Sequence, residues 1–439
     1  MTNNAKKHDK DQLIAIDLFG TLIEEGNGRP DRRYSDLVLE LSPKDRRADV
    51  QRRLYPFVRG DLMTVKLGYR EMVGRILDHF QLEASPQAKD AIVDAWSQSN
   101  KSMVWRPGAK EFLGNLSDVR LATRILASNV TAPAWDEVNK GLHVEGYFDG
   151  TMLSCEIGYS KPSDEFWNNL RRLGRAVKPR GTWMVGDSLS DDLRVPFSRG
   201  WNVVDATKPD AFTMLNGILC RPASPSKTII LNVDDPESWQ NKLKTFGFNF
   251  LDPKKLCSYL GQWAGWDLFD RQTTLLLFPG RGGSQVKSML GADWLNGWPN
   301  QLPVDVKRCW EPGADPIVLG GNLDLNRVFP QIKNVVIVDD VISSGKTALA
   351  VLEKNTVWFP DAKWWGACLV GQNSVQLTGF NGLFVAAEVG SRESKWPLNS
   401  LSTLICDPIV RDSYVTRNFP DRGTASSLLS ILSANQLGN

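Results

Sequence analysis

Two adjacent carboxylates, Asp339 and Asp340, follow four β-branched residues at 335–338 and precede a small-residue turn of Ser343, Ser344 and Gly345. An apolar strand ending in two acids, then a turn opening a helix, is a place to hold a sugar phosphate. The acids can accept hydrogen bonds from two ribose hydroxyls. The turn amides through Gly345 and Lys346, with the hydroxyls of Ser343, Ser344 and Thr347, can cradle a phosphate at a positive helix N-terminus. A single carboxylate, Asp17, ends a second apolar run and is followed by Gly20 and Thr21. A carboxylate at a strand terminus facing loop amides can act as a nucleophile.

Other polar groups sit at comparable places. Ser128 and Asn129 end an apolar run, and Lys161 lies just before a helical pattern in which Phe166, Trp167, Leu170 and Leu173 share one face. Asp187 follows another apolar run and is trailed by Asp191 and Asp192. Upstream of the acid pair, the run at 275–278 leads into Arg281, Gly282 and Gly283, a glycine turn that allows close backbone approach to a ligand. Arg281 adds a planar fork of donors suited to phosphate oxygens.

Short apolar runs alternate with helical patterns throughout, which makes the chain α/β. Strands are expected at 13–19, 123–127, 182–186 and 202–204, then at 228–233, 273–278, 303–306, 335–338, 364–369 and 383–387. A helix is expected over 346–352. The 439 residues exceed one ordinary core, so two domains are expected. Two prolines and small polar residues near Pro222 and Pro225 mark the boundary. The expected division is a disordered tail at 1–11, a first domain at 12–218, a linker at 219–227 and a second domain at 228–439.

Net charge is +2, which gives no general nucleic-acid or anionic-lipid surface. No apolar run is long enough to span a bilayer, and six scattered cysteines without CxxC spacing fit reduced thiols, so a cytoplasmic protein is expected. Only three histidines are present, at positions without zinc-ligand spacing, whereas a hard-cation site built from carboxylates remains open. The sixteen tryptophans show no repeat and are expected to pack in cores and interfaces.

The segments around Asp17, Ser128, Lys161 and Asp187 resemble, in order and spacing, the four motifs of the haloacid dehalogenase-like hydrolase superfamily. The helical stretch at about 25–105 sits where that family places its cap, and 107–113 has the form of the helix leading into the second motif. The resemblance covers the first half of the chain. It implies that Asp17 attacks phosphorus and forms an aspartyl-phosphate. Mg²⁺ would be held by Asp17, the Phe19 backbone carbonyl, Asp187 and Asp192, with Asp191 an alternative to Asp192. Lys161 would stabilise the nucleophile, and Thr21, Ser128 and Asn129 would bind the phosphoryl group. One position departs from family phosphatases. Phe19 stands where they carry an Asp that protonates the leaving group, and loss of a general acid/base costs about two to four orders of magnitude in rate. Dehalogenases of the family often carry an aromatic there but usually lack the acid that Asp187 supplies.

The second half resembles the type I phosphoribosyltransferases, whose phosphoribosyl pyrophosphate (PRPP) motif has the order seen at 335–347. The resemblance implies Mg²⁺-bound PRPP with its 5′-phosphate on Ser343 to Thr347, its ribose on Asp339 and Asp340, and its pyrophosphate near Arg281 to Gly283. Lys307 and Arg308 are candidate cations of a mobile loop, and 391–401 with Lys395 and Trp396 a candidate hood over the acceptor. A P-loop is the rival for Ser344 to Thr347, but it needs glycine where Asp340 stands. The acidic pair Asp234 and Asp235 is explained by helix capping.

The fold expected is thus two Rossmann-like three-layer domains, the first haloacid dehalogenase-like with a helical cap, the second phosphoribosyltransferase-like. The expected function is nucleotide metabolism. A Mg²⁺-dependent phosphohydrolase for a small phosphorylated metabolite is joined to PRPP-dependent transfer, or its reverse, on a base or nucleotide. Such a fused pair resembles accessory proteins of bacterial stress and defence systems. Two alternatives stay open: a non-enzymatic sensor of PRPP or nucleotides acting through a protein partner or homo-oligomer, and a 2-haloacid dehalogenase in the first half.

Overall fold

The computed structural model describes residues 12–117, 122–161, 163–173, 181–219, 228–230, 235–245, 249–307, 316–319, 325–342, 345–372, 377–389, 415 and 422–434. The chain divides into two units, Met1–Cys220 and Arg221–Asn439. Among the described residues no helix is long and apolar enough to cross a membrane.

The first unit is built on a parallel sheet in the order β5 (Gly150–Leu153), β4 (Ala122–Ser128), β1 (Gln12–Ile16), β6 (Thr182–Gly186), β7 (Asn202–Asp205). β1 is central, so both of its faces are covered and Leu13, Ile14, Ala15 and Ile16 are all buried. That is why its sequence reads as a continuous apolar run rather than an alternating one. The chain moves from β1 to one side through β4 and β5, then returns to the other side through β6 and β7. Such a reversal opens a crevice at the carboxyl ends of the strands flanking it. Asp17 is the first residue beyond β1 and lies in that crevice, so the strand ends three residues before the expected limit at Phe19.

The expected cap is a four-helix insertion, Tyr34–Leu41, Arg47–Phe57, Tyr69–Phe80 and Pro86–Lys101. It leaves and rejoins the core through a two-stranded ribbon, β2 (Ile23–Glu25) antiparallel to β3 (Met103–Trp105). The cap has a core of its own around Val50, Leu54, Met72, Ile76, Phe80 and Trp96. A carboxylate of the main body also fastens it. Glu137, on the helix Ala132–Leu142, accepts hydrogen bonds from Tyr69 at 2.6 Å and Ser97 at 2.5 Å, both on cap helices. Burial and the Glu137 acceptor push the Tyr69 phenol pKa well above its ordinary value.

The helix Asp164–Leu173 buries Phe166, Trp167 and Leu170, as their spacing predicts. Leu173 does not follow them; it ends the helix and is 53% exposed.

The second unit carries a sheet in the order β12 (Ile317–Leu319), β11 (Gln301–Lys307), β10 (Thr274–Pro279), β13 (Asn334–Ile342), β14 (Lys363–Gln372), β15 (Gly382–Val389). β12 runs antiparallel to β11, and every other pairing is parallel. A separate parallel pair joins β8 (Thr228–Ile230) to β9 (Asn249–Leu251). The strand reversal here falls between β10 and β13. Several tryptophans pack in this unit's interior as their dispersion implies: Trp263 stacks on Phe384 at 5.1 Å, and Trp266 meets Trp298 edge-on at 5.4 Å. Cys155, Cys257 and Cys368 are buried and are not joined in disulfides among the described residues.

Candidate active site

The loop after β1 turns back at once. The amides of Leu22 and Ile23 both donate to the Leu18 carbonyl, at 2.9 and 3.0 Å. Gly20 makes the turn possible with φ +73°, and a Cβ on it would sit 2.3 Å from the Asp187 carboxylate. A Cβ on Gly186 would likewise meet Asp192 at 2.3 Å. Both glycines are therefore needed for carboxylates to converge from different strands. The result is a cluster in which oxygens of Asp17, Asp187 and Asp192 all lie within 4.8 Å of one another. The Thr21 hydroxyl bridges two of them, 3.4 Å from Asp17 and 3.3 Å from Asp187.

Lys161 enters from the loop before the helix Asp164–Leu173, with its side chain 2% exposed. Its Nζ donates to Asp17 Oδ1 at 2.5 Å and to Asp192. Burial works against the ammonium, but the Asp17 and Asp192 carboxylates outweigh it and hold the Lys161 pKa above its ordinary value. Burial also raises the Asp17, Asp187 and Asp192 pKa values, that of Asp192 to about 6, although Lys161 opposes the rise at each. Three ionised carboxylates and one ammonium leave a formal charge of −2 in a buried place. A divalent cation cancels that charge, and an all-oxygen donor set suits a hard one, so this triad fits Mg²⁺.

The sequence leaves Asp191 and Asp192 open as alternatives, and the structure separates them. A π-helical turn, Leu189–Arg194, points Asp192 into the triad and turns Asp191 away. Asp191 accepts two hydrogen bonds from Nη1 of Arg59, at 2.8 and 3.0 Å, and one from Asn129 Nδ2 at 3.4 Å. Arg59 lies on a second π-helical turn, Val58–Leu62, of the cap. This bridge between cap and core was not foreseen from the sequence, where Arg59 is one of many arginines in a helical run. Asn129, expected to bind phosphate directly, has its Oδ1 occupied by the Lys161 amide at 2.8 Å, so it organises the lysine loop. Ser128 behaves differently. It is 1% exposed, and its Oγ has no hydrogen-bond partner among the described residues. A buried hydroxyl without a partner is costly unless a ligand satisfies it. Phe19 is partly buried, and its ring carries no proton to transfer.

In the second unit, the expected glycine loop is the opening of a helix, Gly280–Asn296, with Gly280 at φ +57°. Gly282 packs directly on the acid pair: a Cβ there would lie 2.1 Å from Asp340 Oδ1 and 2.8 Å from Asp339 Oδ1. The acids were expected open at the strand end. Instead they lie within β13, at 3% and 0% exposure. Asp339 Oδ1 accepts the Asp340 amide at 2.9 Å, and Asp340 Oδ1 accepts the Val341 amide at 2.7 Å. β10 pairs with β13 only as far as Ile337, so Asp339 and Asp340 face the first turn of the helix that follows β10. Gly345 adopts φ +76° ahead of the helix Lys346–Thr356, with Lys346 exposed and Thr347 partly buried. Arg281 is exposed. Ser343, Ser344, residues 308–313 and the candidate hood at 391–401 lie outside the described residues, as does Asp234. Asp235 caps the helix Pro236–Thr245, accepting the Ser238 amide at 3.1 Å.

A family model described as haloacid dehalogenase-like hydrolase matches residues 12–194. Among solved structures, the chain is similar to a HAD family enzyme from Bacteroides thetaiotaomicron, in complex with magnesium and inorganic phosphate. The identity is 20% over 44% of this chain and 93% of that one, with a TM-score of 0.33. It is also similar to a 2-haloacid dehalogenase from Pseudomonas syringae pv. Tomato DC3000, at 18% identity over 44% and 85% of the two chains and a TM-score of 0.32. An L-2-haloacid dehalogenase from Xanthobacter autotrophicus is 16% identical over 44% and 76%, with a TM-score of 0.30. No curated protein matches the chain.

Proposed function

We propose that residues 12–194, which match a haloacid dehalogenase-like hydrolase family model, form a Mg²⁺-dependent phosphohydrolase domain acting on a small phosphorylated metabolite. The observation that carries this is the convergence of Asp17, Asp187 and Asp192 beside a buried Lys161. Asp17 attacks phosphorus, an Asp17–phosphorus bond forms, and the ester oxygen leaves. Water then opens the aspartyl-phosphate, returning the Asp17 carboxylate and inorganic phosphate. Lys161 holds Asp17 in line and offsets negative charge as the phosphoryl group transfers, while Ser128 Oγ supplies a donor for a phosphoryl oxygen. Asp17, Asp187 and Asp192, with the Phe19 carbonyl, would hold Mg²⁺, which would supply positive charge to offset the carboxylate and phosphoryl oxygens. With Phe19 unable to act as acid, the leaving oxygen takes its proton from water. Turnover is then expected about 10²–10⁴ times slower than where an acid/base is present.

Inorganic phosphate release from a panel of phosphomonoesters tests this. Release is expected with Mg²⁺ and should disappear in EDTA and return on Mg²⁺ addition. No release from any ester, or halide release from 2-haloacids without Mg²⁺, would replace the phosphohydrolase with the dehalogenase alternative or with a non-catalytic role.

For the second unit we infer a ribose-phosphate site of the PRPP type. The contact of Gly282 with Asp339 and Asp340 at the reversal between β10 and β13 favours it, because two separate sequence motifs meet where parallel sheets commonly bind ligands. Because the acids are covered, ligand entry requires the first turn of Gly280–Asn296 to lift away from them. Calorimetry should detect PRPP binding that needs Mg²⁺ and vanishes in the double variant Asp339→Asn/Asp340→Asn. Absence of heat with PRPP, ribose 5-phosphate and nucleotides would remove the site. Pyrophosphate release in the presence of a base separates a transferase from a sensor.

A further inference from the structure

Arg106 stands where the cap rejoins the core, directly after β3. Its Nη1 donates to the Gly20 carbonyl at 2.5 Å and to the carbonyls of Thr21 and Ala206 at 3.2 Å each. Its own amide donates to the Leu22 carbonyl at 2.9 Å. Three carbonyl dipoles aimed at one point repel one another. A fixed, permanently charged guanidinium is the side chain that lets them converge.

Two short routes lead from these carbonyls to the carboxylates. Thr21 carries the hydroxyl that bridges Asp17 and Asp187. The Ala206 amide donates to the Gly186 carbonyl at 2.8 Å, and Gly186 immediately precedes Asp187. Gly20 lies against the Asp187 carboxylate with no room for a side chain, so the path of its backbone sets where that carboxylate stops.

We propose that Arg106 is a positioning residue for the carboxylate triad. By gathering the Gly20, Thr21 and Ala206 carbonyls, it holds the Asp17 loop and the Asp187 loop at the separation a divalent cation requires. Mg²⁺ tolerates little departure from octahedral geometry, so a loop shift that leaves the fold intact still weakens its binding. Because Arg106 also roots the cap's returning strand, the metal site and the base of the cap share one support. This rests on the triad being a Mg²⁺ site.

The test is Mg²⁺ titration by calorimetry on the full chain, without substrate, alongside thermal melts of the metal-free protein. Wild type is expected to bind, and a wild type that does not bind would overturn the metal site itself. With wild-type binding in hand, Arg106→Met is expected to weaken Mg²⁺ at least ten-fold, with a melting temperature within a few degrees of wild type. Arg106→Lys, which keeps the charge on a shorter and more mobile stem, should recover part of the loss. Wild-type affinity in Arg106→Met would overturn the proposal. If that variant does not fold, Arg106→Lys decides: weaker binding supports the role and wild-type binding overturns it.

Discussion

Asp17→Asn is expected to abolish Mg²⁺-dependent phosphate release, lowering kcat by about four orders of magnitude or more. The amide has the shape of the carboxylate but is no nucleophile at phosphorus, so the covalent step is lost while the loop is kept. The backbone around residue 17 is anchored independently of the side chain, through the Asp17 amide to the Val185 carbonyl at 2.9 Å. The variant should therefore fold, and the protein can be checked by its melt. Phosphate release at the wild-type rate would show that Asp17 is not the attacking group. Radiolabelled or mass-shifted aspartyl-phosphate at Asp17 in wild type, absent in the variant, gives a second readout.

Lys161→Met is the other large effect, and it acts on folding as well as turnover. Methionine roughly preserves the length and apolar stem of lysine, so packing is little changed. What disappears is the only cation among the described residues that bridges Asp17 and Asp192. Breaking a buried pair by removing one partner costs about 3–5 kcal/mol, because the remaining charges stay buried without compensation. Here the orphaned carboxylates stand beside Asp187, which adds repulsion. Loss of the positive charge next to the transferring group should reduce kcat by about 10²–10³-fold in addition. Denaturant melts with and without Mg²⁺ check the first part, and Mg²⁺ should restore some of the lost stability. Unchanged stability without Mg²⁺ would mean that Lys161 is not the counter-charge its position implies.

Much of the first unit was readable because its chemistry is local. Asp17, Ser128, Lys161 and Asp187 each terminate or follow an apolar strand or open a helix, and such places announce themselves over a few residues. The choice between Asp191 and Asp192 was not readable. It depends on a π-helical turn that pairs Asp191 with Arg59, 132 residues away in the chain. Arg106 was silent for the same reason, since its acceptor Gly20 is 86 residues distant. The three-residue strands β2, β3 and β12 are too short to show a period, and only their pairing reveals them.

In the second unit the strands are plain in the sequence, but the glycine segment before Ser284 reads as a loop. Glycine costs about 1 kcal/mol relative to alanine within a helix, so propensity argues against the structure seen. Packing overrules it: at Gly282 any side chain would collide with Asp340. The same contact covers the acids that an exposed-loop expectation had left open. Propensity could not anticipate that, because it knows nothing of what lies opposite.

The ribbon of β2 and β3 carries a further implication. Ile23 lies opposite Trp105 and Glu25 opposite Met103, so the polypeptide departs the main body of the first unit and comes home at neighbouring points. Residues 26–102 are then an excursion that a tight hairpin could replace without altering the sheet beneath. With an interior of its own, that excursion can be traded for another of different shape. The body would keep its reaction and acquire a new clientele.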